Sequence, residues 1–452
     1  MKRFAGILFW CTLVFFTACV TADHAAYDTD LLVGNYAGVY KRLDAEQKRL
    51  YAAQDKLLYH LDAGMLLHFA GDYDASNRQL SQAETLIDYY AAKSVSQAIG
   101  SFVLNDSVID YAGEDYEDIY TNLFMALNYI RLDKIEDAFV EIRRFDNKLK
   151  RLSSKYEKEV FAAKQQAEKQ MAELNLSDSY AQGRLDLPFD LEFHNSAFAR
   201  YISLLLYRSE NSSDSAIIDK KYLESAFQTQ RSLYPFPLPA AVEQEFSVPP
   251  EKARLNILCF TGRSPIKKEK IFRIPDITGG TWFKIAIPVM QKRSSRISSV
   301  YIEAIDGSGN KSAGTLEILE SMENIAEDTF RQKQSLIYTK TFVRTLSKTL
   351  ASAAAEAALV SQDDGSSDIK ALGGFLRLLS GIFIEISERA DLRCSRYFPA
   401  AVWAGGLNLD GGLYTVHISC YDKQRKLLYK DIKKDVLVKN TMLNITEFVC
   451  MQ

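Results

Sequence analysis

The residue types that could carry catalysis are present in this chain, but their spacing matches no catalytic motif. The 452 residues include five histidines and six cysteines, and none falls in a CxxC or other metal-ligand spacing. His60 and His68 lie eight residues apart, about two turns of a predicted helix, which is too far to share a metal ion without a third ligand. No P-loop, GxSxG, HExxH or dinucleotide fingerprint occurs. We therefore expect no enzyme activity, no metal and no cofactor.

Cys19 is the residue for which the sequence predicts a specific chemistry, namely acylation. Lys2 and Arg3 are followed by an apolar run over residues 4–16, and small residues precede the cysteine. This order is typical of an export signal with a cleavage site, here after residues 1–18. The ending Phe-Thr-Ala-Cys resembles the lipobox of bacterial lipoproteins, although Phe16 stands where the family usually has an aliphatic residue. The resemblance implies that Cys19 is diacylated; an ordinary signal peptide or a single anchor helix is the alternative.

The same segment leads to an expected location. No later stretch reaches about 18 uncharged apolar residues, so the mature chain is predicted not to span a membrane. Acyl chains on Cys19 would hold it at a membrane surface. No aspartate follows Cys19, which by resemblance to enterobacterial sorting favours the outer membrane, facing the periplasm, in the bacterial cell envelope. The formal net charge of -3 argues against a nucleic-acid partner. Three cysteines lie in largely apolar segments, and the sequence favours neither buried free thiols nor disulfides for them: Cys259, Cys394 and Cys420.

Residues 19–233 show helical periodicity, and two segments fit the tetratricopeptide (TPR) repeat template. Residues 55–90 place Gly64 where two helices must approach closely, and residues 116–145 place Ala126 at the same position. A weaker helix pair is predicted over residues 195–234, and a partial pair over 27–50. A non-repeat helical bundle is the alternative. Residues 148–173 are highly charged and predict a long helix projecting from the array, or else a coiled-coil partner surface.

A polar link joins the two hairpins and, with the second hairpin, carries the candidate site. Several residues there look like those of an uncharacterised family of TPR-containing bacterial lipoproteins, and the resemblance extends to residues 61–64, 71–77 and 390–393. It implies architecture rather than an activity. The candidate residues are predicted either to cap helices and form ion pairs inside the array, or to contact a ligand or peptide. They are Asn105, Asp106, Tyr111, Glu117, Glu141, Arg143 and Arg144.

The pattern changes from helical to alternating after a proline-rich segment. Five of the ten prolines lie within residues 234–250, which we interpret as a linker between domains. Residues 251–452 then predict a strand-rich α+β domain with two inserted helices, over residues 321–360 and 371–387. Strands are expected at 254–260, 282–290, 299–305, 315–319, 413–421, 426–432 and 444–450. A basic loop after the first strand resembles a Gly-x-x-Pro-x-Lys feature of the same family and forms either a turn or an anion contact: Arg263, Lys267 and Lys268.

The predicted fold class is therefore multidomain, with an N-terminal TPR-like helical array followed by an α+β domain. We expect a lipid-anchored envelope scaffold whose concave helical surface binds a protein or peptide, while the second domain docks another partner or the cell wall. A binding protein holding a small molecule or glycan in the cleft between the halves is the alternative. An enzyme acting on the wall is a third hypothesis.

Overall fold

The helical segments of this chain pack as antiparallel hairpins, and the segments with alternating apolar residues form a sheet behind them. The computed structural model describes residues 25–97, 109–152, 154–173, 191–275, 282–293, 295–334, 336–338, 340–341, 390–440 and 442–452. Within these ranges an N-terminal helical region is followed by a strand-rich region, as the sequence predicts. The helices are α1 (Ala25–Leu32), α2 (Tyr36–Ala45), α3 (Gln47–Leu50), α4 (Lys56–Ala70), α5 (Tyr73–Gln97), α6 (Asp115–Arg131), α7 (Ile135–Leu152), α8 (Glu157–Glu173), α9 (Ala197–Ser209), α10 (Ser213–Thr229) and α11 (Ala240–Gln244).

The first hairpin, α4–α5, has the tight turn and close contact that its sequence predicts. Gly71 ends α4 with a φ of 82°, a left-handed conformation that favours glycine. A Cβ built on Gly64 would lie only 2.5 Å from Leu80 Cδ2, so the two helices approach at a distance that only glycine allows. The Ser76 hydroxyl donates to the Gly64 carbonyl oxygen at 2.8 Å and fixes the pairing.

The second hairpin, α6–α7, begins at the polar link. Glu117 lies three residues into α6 and accepts the backbone N–H of Glu114 at 2.9 Å, which satisfies a donor that the helix start leaves free. Ala126 and Ala138 are fully buried between the hairpins. The charged stretch that follows is not one long helix: α7 ends at Leu152, and residues 154–156 form a turn before α8.

The described residues after these helices form nine strands, two of which the sequence patterns did not predict. They are β1 (Ala253–Thr261), β2 (Arg263–Pro275), β3 (Trp282–Arg293), β4 (Ser299–Asp306), β5 (Lys311–Ser321), β6 (Ala401–Leu409), β7 (Gly412–Tyr421), β8 (Leu427–Val438) and β9 (Asn444–Cys450). Seven form one sheet in the order β8-β7-β4-β5-β6-β1-β9, in which only β1 and β9 run parallel, and β2 pairs with β3 in a separate two-stranded ribbon. The unpredicted strands are β2 and β6.

The large sheet curves until its two edge strands, β8 and β9, come close to each other. The Lys433 ammonium of β8 lies 5.3 Å from the ring centre of Phe448 in β9. Alternate residues of β1 therefore face two different cores. Leu255, Ile257 and Cys259 pack inside the curved sheet, whereas Leu258 and Phe260 pack against the helices.

The core between helices and sheet is continuous from α1 to β9. It includes residues of every helical hairpin from α1–α2 to α9–α10 together with β1, β5, β6, β9 and a helix over residues 322–334. The proline-rich segment that we interpreted as a linker lies where helix gives way to strand, but Tyr234 and Val242 within it are buried in this same core. Of the two helices predicted inside the C-terminal half, the second lies outside the described residues.

Candidate functional site

Three of the residues singled out in separate parts of the sequence, Tyr111, Glu117 and Lys267, meet in one buried cluster between α4, α6, β2 and the segment 390–398. We call this cluster the junction network. Five stretches of the chain contribute to it, including the helix over residues 322–334, and up to 338 residues separate the groups that form its hydrogen bonds. Its charged and hydroxyl side chains are Tyr51, Asp55, Asp62, Tyr111, Glu114, Glu117, Lys267, Lys333, Asp391, Arg393 and Ser395.

Asp62 of α4 accepts three hydrogen bonds, two of them from the segment 390–398. One carboxylate oxygen accepts the Ser395 hydroxyl at 2.7 Å and the Arg396 backbone N–H at 3.0 Å, and the other accepts the Tyr51 hydroxyl at 2.8 Å. Burial raises the pKa of Asp62 above its usual value, while these donors oppose the rise. The side chain therefore acts as an internal acceptor for backbone and hydroxyl groups that would otherwise be buried without partners.

Glu117 of α6 performs the same task from the neighbouring helix. It is fully buried and accepts the Ser395 backbone N–H at 2.5 Å, the Tyr111 hydroxyl at 2.6 Å and the Glu114 backbone N–H at 2.9 Å. Burial, together with the adjacent carboxylate of Glu114, raises the pKa of Glu117 to about 7. Four donors converge on this one carboxyl group, since the Tyr116 hydroxyl also donates to it at 3.3 Å.

Two lysines neutralise Glu114, the remaining acid of this part of the network. The Lys267 ammonium lies 2.5 Å and the Lys333 ammonium 3.1 Å from the same Glu114 oxygen. Burial opposes the charge of Lys267, but Glu114 and Asp391 outweigh it, so the pKa of Lys267 rises above its usual value. Lys267 is thus a buried cation whose charge is matched by carboxylates within the fold.

Arg393 anchors the start of the segment to the helical region. Its guanidinium lies 2.8 Å from Asp391 and 3.0 Å from Asp55, and it also donates to the Ile109 carbonyl oxygen at 3.0 Å. Tyr397 and Phe398 at the other end of the segment are buried in the common core. An extended stretch of this chain therefore lies across α4 and α6 as a bound peptide would lie, with its backbone amides held by Asp62 and Glu117.

The junction network is arranged to hold structure rather than to react. Every carboxylate in it is matched by donors or cations, and Glu117, Asp62 and Glu114 are at most 2% exposed. The Cys394 thiol is buried beside it, and burial raises the pKa of this thiol to about 11, which disfavours the nucleophilic thiolate. The cluster contains no solvent-exposed nucleophile placed beside a general base.

A second buried carboxylate, Glu320 of β5, joins the later helices to the sheet in the same manner. It is fully buried and accepts the Tyr234 hydroxyl at 2.7 Å, the Ser196 hydroxyl at 2.9 Å, the Phe198 backbone N–H at 3.1 Å and the Tyr120 hydroxyl. Burial raises the pKa of Glu320 above its usual value. Sequence reasoning missed this residue, because a single glutamate at the end of a strand gives no local signal.

The structure divides the predicted candidate cluster of the polar link and second hairpin. Tyr111 and Glu117 belong to the junction network, whereas Glu141 and Arg144 form another group on α5, α6 and α7. There Arg144 pairs with Glu84 at 3.1 Å and with Glu141 at 3.2 Å, and Glu141 also accepts the Asn122 amide at 2.6 Å. Arg143 is exposed. Asn105 and Asp106 lie outside the described residues, as does Cys19.

The predicted basic loop is not a loop, and two of its three cations are paired. Gly262 alone forms the turn between β1 and β2, with a φ of 64°, and Arg263, Lys267 and Lys268 belong to β2. Arg263 lies 2.7 Å from Asp28, and Lys267 is the buried partner of Glu114. Only Lys268 of the three is exposed, so these three cations do not form one exposed basic cluster.

Cysteines and acids in the described part of the chain do not form a metal site. Cys259, Cys394, Cys420 and Cys450 are buried and free, and the described residues contain no group of three or more potential ligands placed to hold a metal ion. The pKa of the Cys420 thiol lies well above its usual value, first because of its hydrogen bond with the neighbouring Cys259 thiol and further because of burial.

Comparison with known proteins adds no family to these observations. No protein-family model, curated protein or solved structure matches this chain. In the described ranges, no helix is both long enough and apolar enough to cross a membrane.

Proposed function

We propose that this protein is a lipid-anchored scaffold of the bacterial cell envelope, whose helices form a TPR-like array that binds a protein or peptide partner. The observation that supports this proposal is the difference between the two helices of each hairpin. The first helices, α4, α6 and α9, are largely buried against the sheet, whereas the second helices, α5, α7 and α10, expose large apolar side chains. A partner would therefore bind the outer face formed by these second helices.

The outer face is most apolar at α10. Ile217, Ile218 and Tyr222 are 41%, 53% and 53% exposed, and their spacing places them on one side of the helix. The Arg200 guanidinium lies 5.1 Å from the centre of the Tyr222 ring, so a cation adjoins the apolar surface. Single exposed apolar residues are ordinary, but three within six residues of one helix favour a binding surface.

The inner face of the array would not be the binding surface, which changes the expectation from the sequence. Residues 390–398 and the sheet already cover it, and Asp62 and Glu117 use their acceptors on this segment. A peptide partner would have to displace Phe398 and Tyr397 from the core to reach the same groups. The proposed partner therefore docks on α10 and its neighbours, without competing with the fold.

The proposed anchor would keep this array close to a membrane. Cys19 lies six residues before the start of α1 at Ala25. A fully extended chain of that length spans at most about 20 Å. The helical array and its outer face would then lie within reach of other proteins that are attached to the same surface.

Two sets of variants test the proposal separately. Cys19→Ala should release the protein from membranes in cell fractionation, and membrane retention of this variant would contradict the anchor. Ile218→Glu and Tyr222→Glu should abolish recovery of a stoichiometric protein partner after crosslinking in detergent extracts. Tyr301→Glu on β4, where Tyr301 is 46% exposed, is the matched control and should retain the partner. Equal recovery with all three variants would exclude the α10 surface.

A further inference from the structure

A polar cavity opens where the curved sheet fails to close between β8 and β9. Its volume is about 500 Å³, which lies in the range of small-molecule sites. The end of α6 covers one side of it through Arg131, and the lining is mainly polar. The residues around it are Arg131, Leu255, Lys433, Lys434, Asp435, Val436, Leu437, Ile445 and Thr446.

Two cations are held at fixed positions in this cavity. The Arg131 guanidinium donates to the Ile445 carbonyl oxygen at 2.6 Å and to the Tyr73 hydroxyl at 3.2 Å. Part of the guanidinium group remains exposed. Lys433 is half-buried, and its ammonium lies 5.3 Å from the Phe448 ring centre. A bulge in β8 follows Lys433 directly, and Asp435 within it has a φ of 55°. The bulge interrupts the regular alternation of side chains, so the residues beyond it do not continue the side-chain direction of Lys433.

Nearby carboxylates act unequally on these two cations, since the pKa of Arg131 is raised whereas that of Lys433 is lowered. Glu447 is buried, and its carboxylate lies 3.1 Å from His68 Nε2. The Lys433 backbone pairs with Val416 of β7, and its ammonium lies over the Phe448 ring, without an ion pair to any residue in the part of the chain that the structure describes. Burial lowers the pKa of Lys433 and the charge of Arg131 adds to the effect, although Glu447 and Asp431 oppose it. Arg131 and Lys433 therefore repel each other across the cavity, and an anion between them would relieve this repulsion.

Lysines on an edge strand commonly serve only to prevent pairing with another sheet. Lys430 and Lys434 of β8 are exposed and fit that role. Lys433 differs, because its ammonium lies over Phe448 of the opposite edge and shares a cavity with Arg131. Prevention of pairing does not require a cation at that inner position.

We propose that this cavity binds a phosphate group between Lys433 and Arg131, carried either by a small solute or by a lipid headgroup. A phosphate offers several acceptor oxygens, so it accepts from the planar fork of arginine and from an ammonium at the same time. The cavity exceeds the size of a phosphate alone. Lys434, Asp435 and Thr446 supply polar partners for an attached hydroxyl-bearing group.

Thermal unfolding of the Cys19→Ala protein tests the solute source, independently of any lipid anchor. Glycerol 3-phosphate, added at constant ionic strength, should raise the unfolding temperature saturably. Lys433→Gln should weaken this binding by about tenfold or more, as expected for the loss of a charge-assisted hydrogen bond. Lys433→Arg should retain it, and Lys430→Gln on the same strand is the matched control that should bind like the parent protein.

Vesicle co-sedimentation of the same proteins tests the lipid source. Binding to phosphatidylglycerol vesicles but not to phosphatidylcholine vesicles, lost in Lys433→Gln and kept in Lys430→Gln, would assign the headgroup as the carrier. Saturable binding of glycerol 3-phosphate without vesicle binding would assign a solute. The proposal is overturned if neither probe binds, or if Lys433→Gln binds either probe as tightly as Lys430→Gln does. Because no step uses Cys19, failure here would leave the proposed scaffold function intact.

Discussion

Replacing Glu117 by glutamine should change stability in a manner that depends on pH. Burial, with the adjacent Glu114 carboxylate, raises the pKa of Glu117 from an ordinary value of 4.5 to about 7. The folded chain therefore holds this proton more tightly than the unfolded chain does. The contribution of Glu117 to stability is complete below pH 4.5 and is lost as the pH rises through 7. The loss is about 1.4 kcal/mol per pH unit, and about 3 kcal/mol in total.

Glutamine also changes the hydrogen bonds at this position. The two oxygens of Glu117 accept the backbone N–H groups of Glu114 and Ser395, one each. Either orientation of a glutamine amide therefore places its NH2 group against a backbone N–H. An unsatisfied buried donor costs about 1–3 kcal/mol. Near pH 4.5, Glu117→Gln should therefore have a free energy of unfolding about 1–3 kcal/mol below that of wild type. Near pH 8 this difference should vanish, because the ionised Glu117 of the wild type is itself unfavourable there.

Urea unfolding between pH 4.5 and pH 8, followed by circular dichroism, measures both quantities. Glu136→Gln is the matched control, because Glu136 is exposed on α7, and its effect on the free energy of unfolding should be small and constant. A difference between wild type and Glu117→Gln that stays the same at both ends of the pH range would refute the raised pKa.

Three further changes test the packing and the charges. Gly64→Ala should lower the free energy of unfolding by about 1–3 kcal/mol in urea titrations, because its Cβ would overlap Leu80, whereas Gly307→Ala, which meets no atom within 4 Å, should not. Lys267→Met should cost about 3 kcal/mol by leaving Glu114 underpaired, and adding Glu114→Gln should recover part of that loss in a double-mutant cycle. Alkylation of the native protein at pH 8, mapped by peptide mass, should spare the four buried thiols until urea is added: Cys259, Cys394, Cys420 and Cys450. Labelling of any of them in the folded protein would contradict their burial.

Local signals in the sequence predicted the helical hairpins and most strands correctly. Gly71-Asp72-Tyr73 specifies a turn, and Gly64 specifies a close contact, because each requirement is met by residues near in sequence. The start of strand β2 resembles a basic loop in the sequence, because Gly262 and Pro265 favour a turn and Arg263, Lys267 and Lys268 are cationic. Lys267 is nevertheless buried, since Glu114 on α6 supplies its counter-charge. A counter-charge more than 100 residues away leaves no trace in a local pattern.

The site shows the same limit more strongly. The sequence singled out Glu117 on the helical side and Asp391-Leu392-Arg393 on the other, but as separate features. Their connection depends on Ser395, whose backbone N–H donates to Glu117 and whose hydroxyl donates to Asp62, across 278 and 333 residues of chain. Serine in an irregular segment is too common to predict such a contact.

The occupied inner face decides how this molecule is expected to bind a partner. A segment held by paired charges at Arg393, by backbone hydrogen bonds at Ser395 and by burial at Phe398 cannot leave without exposing two carboxylates and part of the core. Each lost term costs about 1–3 kcal/mol, which together are comparable to the whole stability of a typical domain. A partner that competed for this face would therefore have to unfold the junction first. The exposed side of α10 presents no such barrier, which is why we propose recognition there.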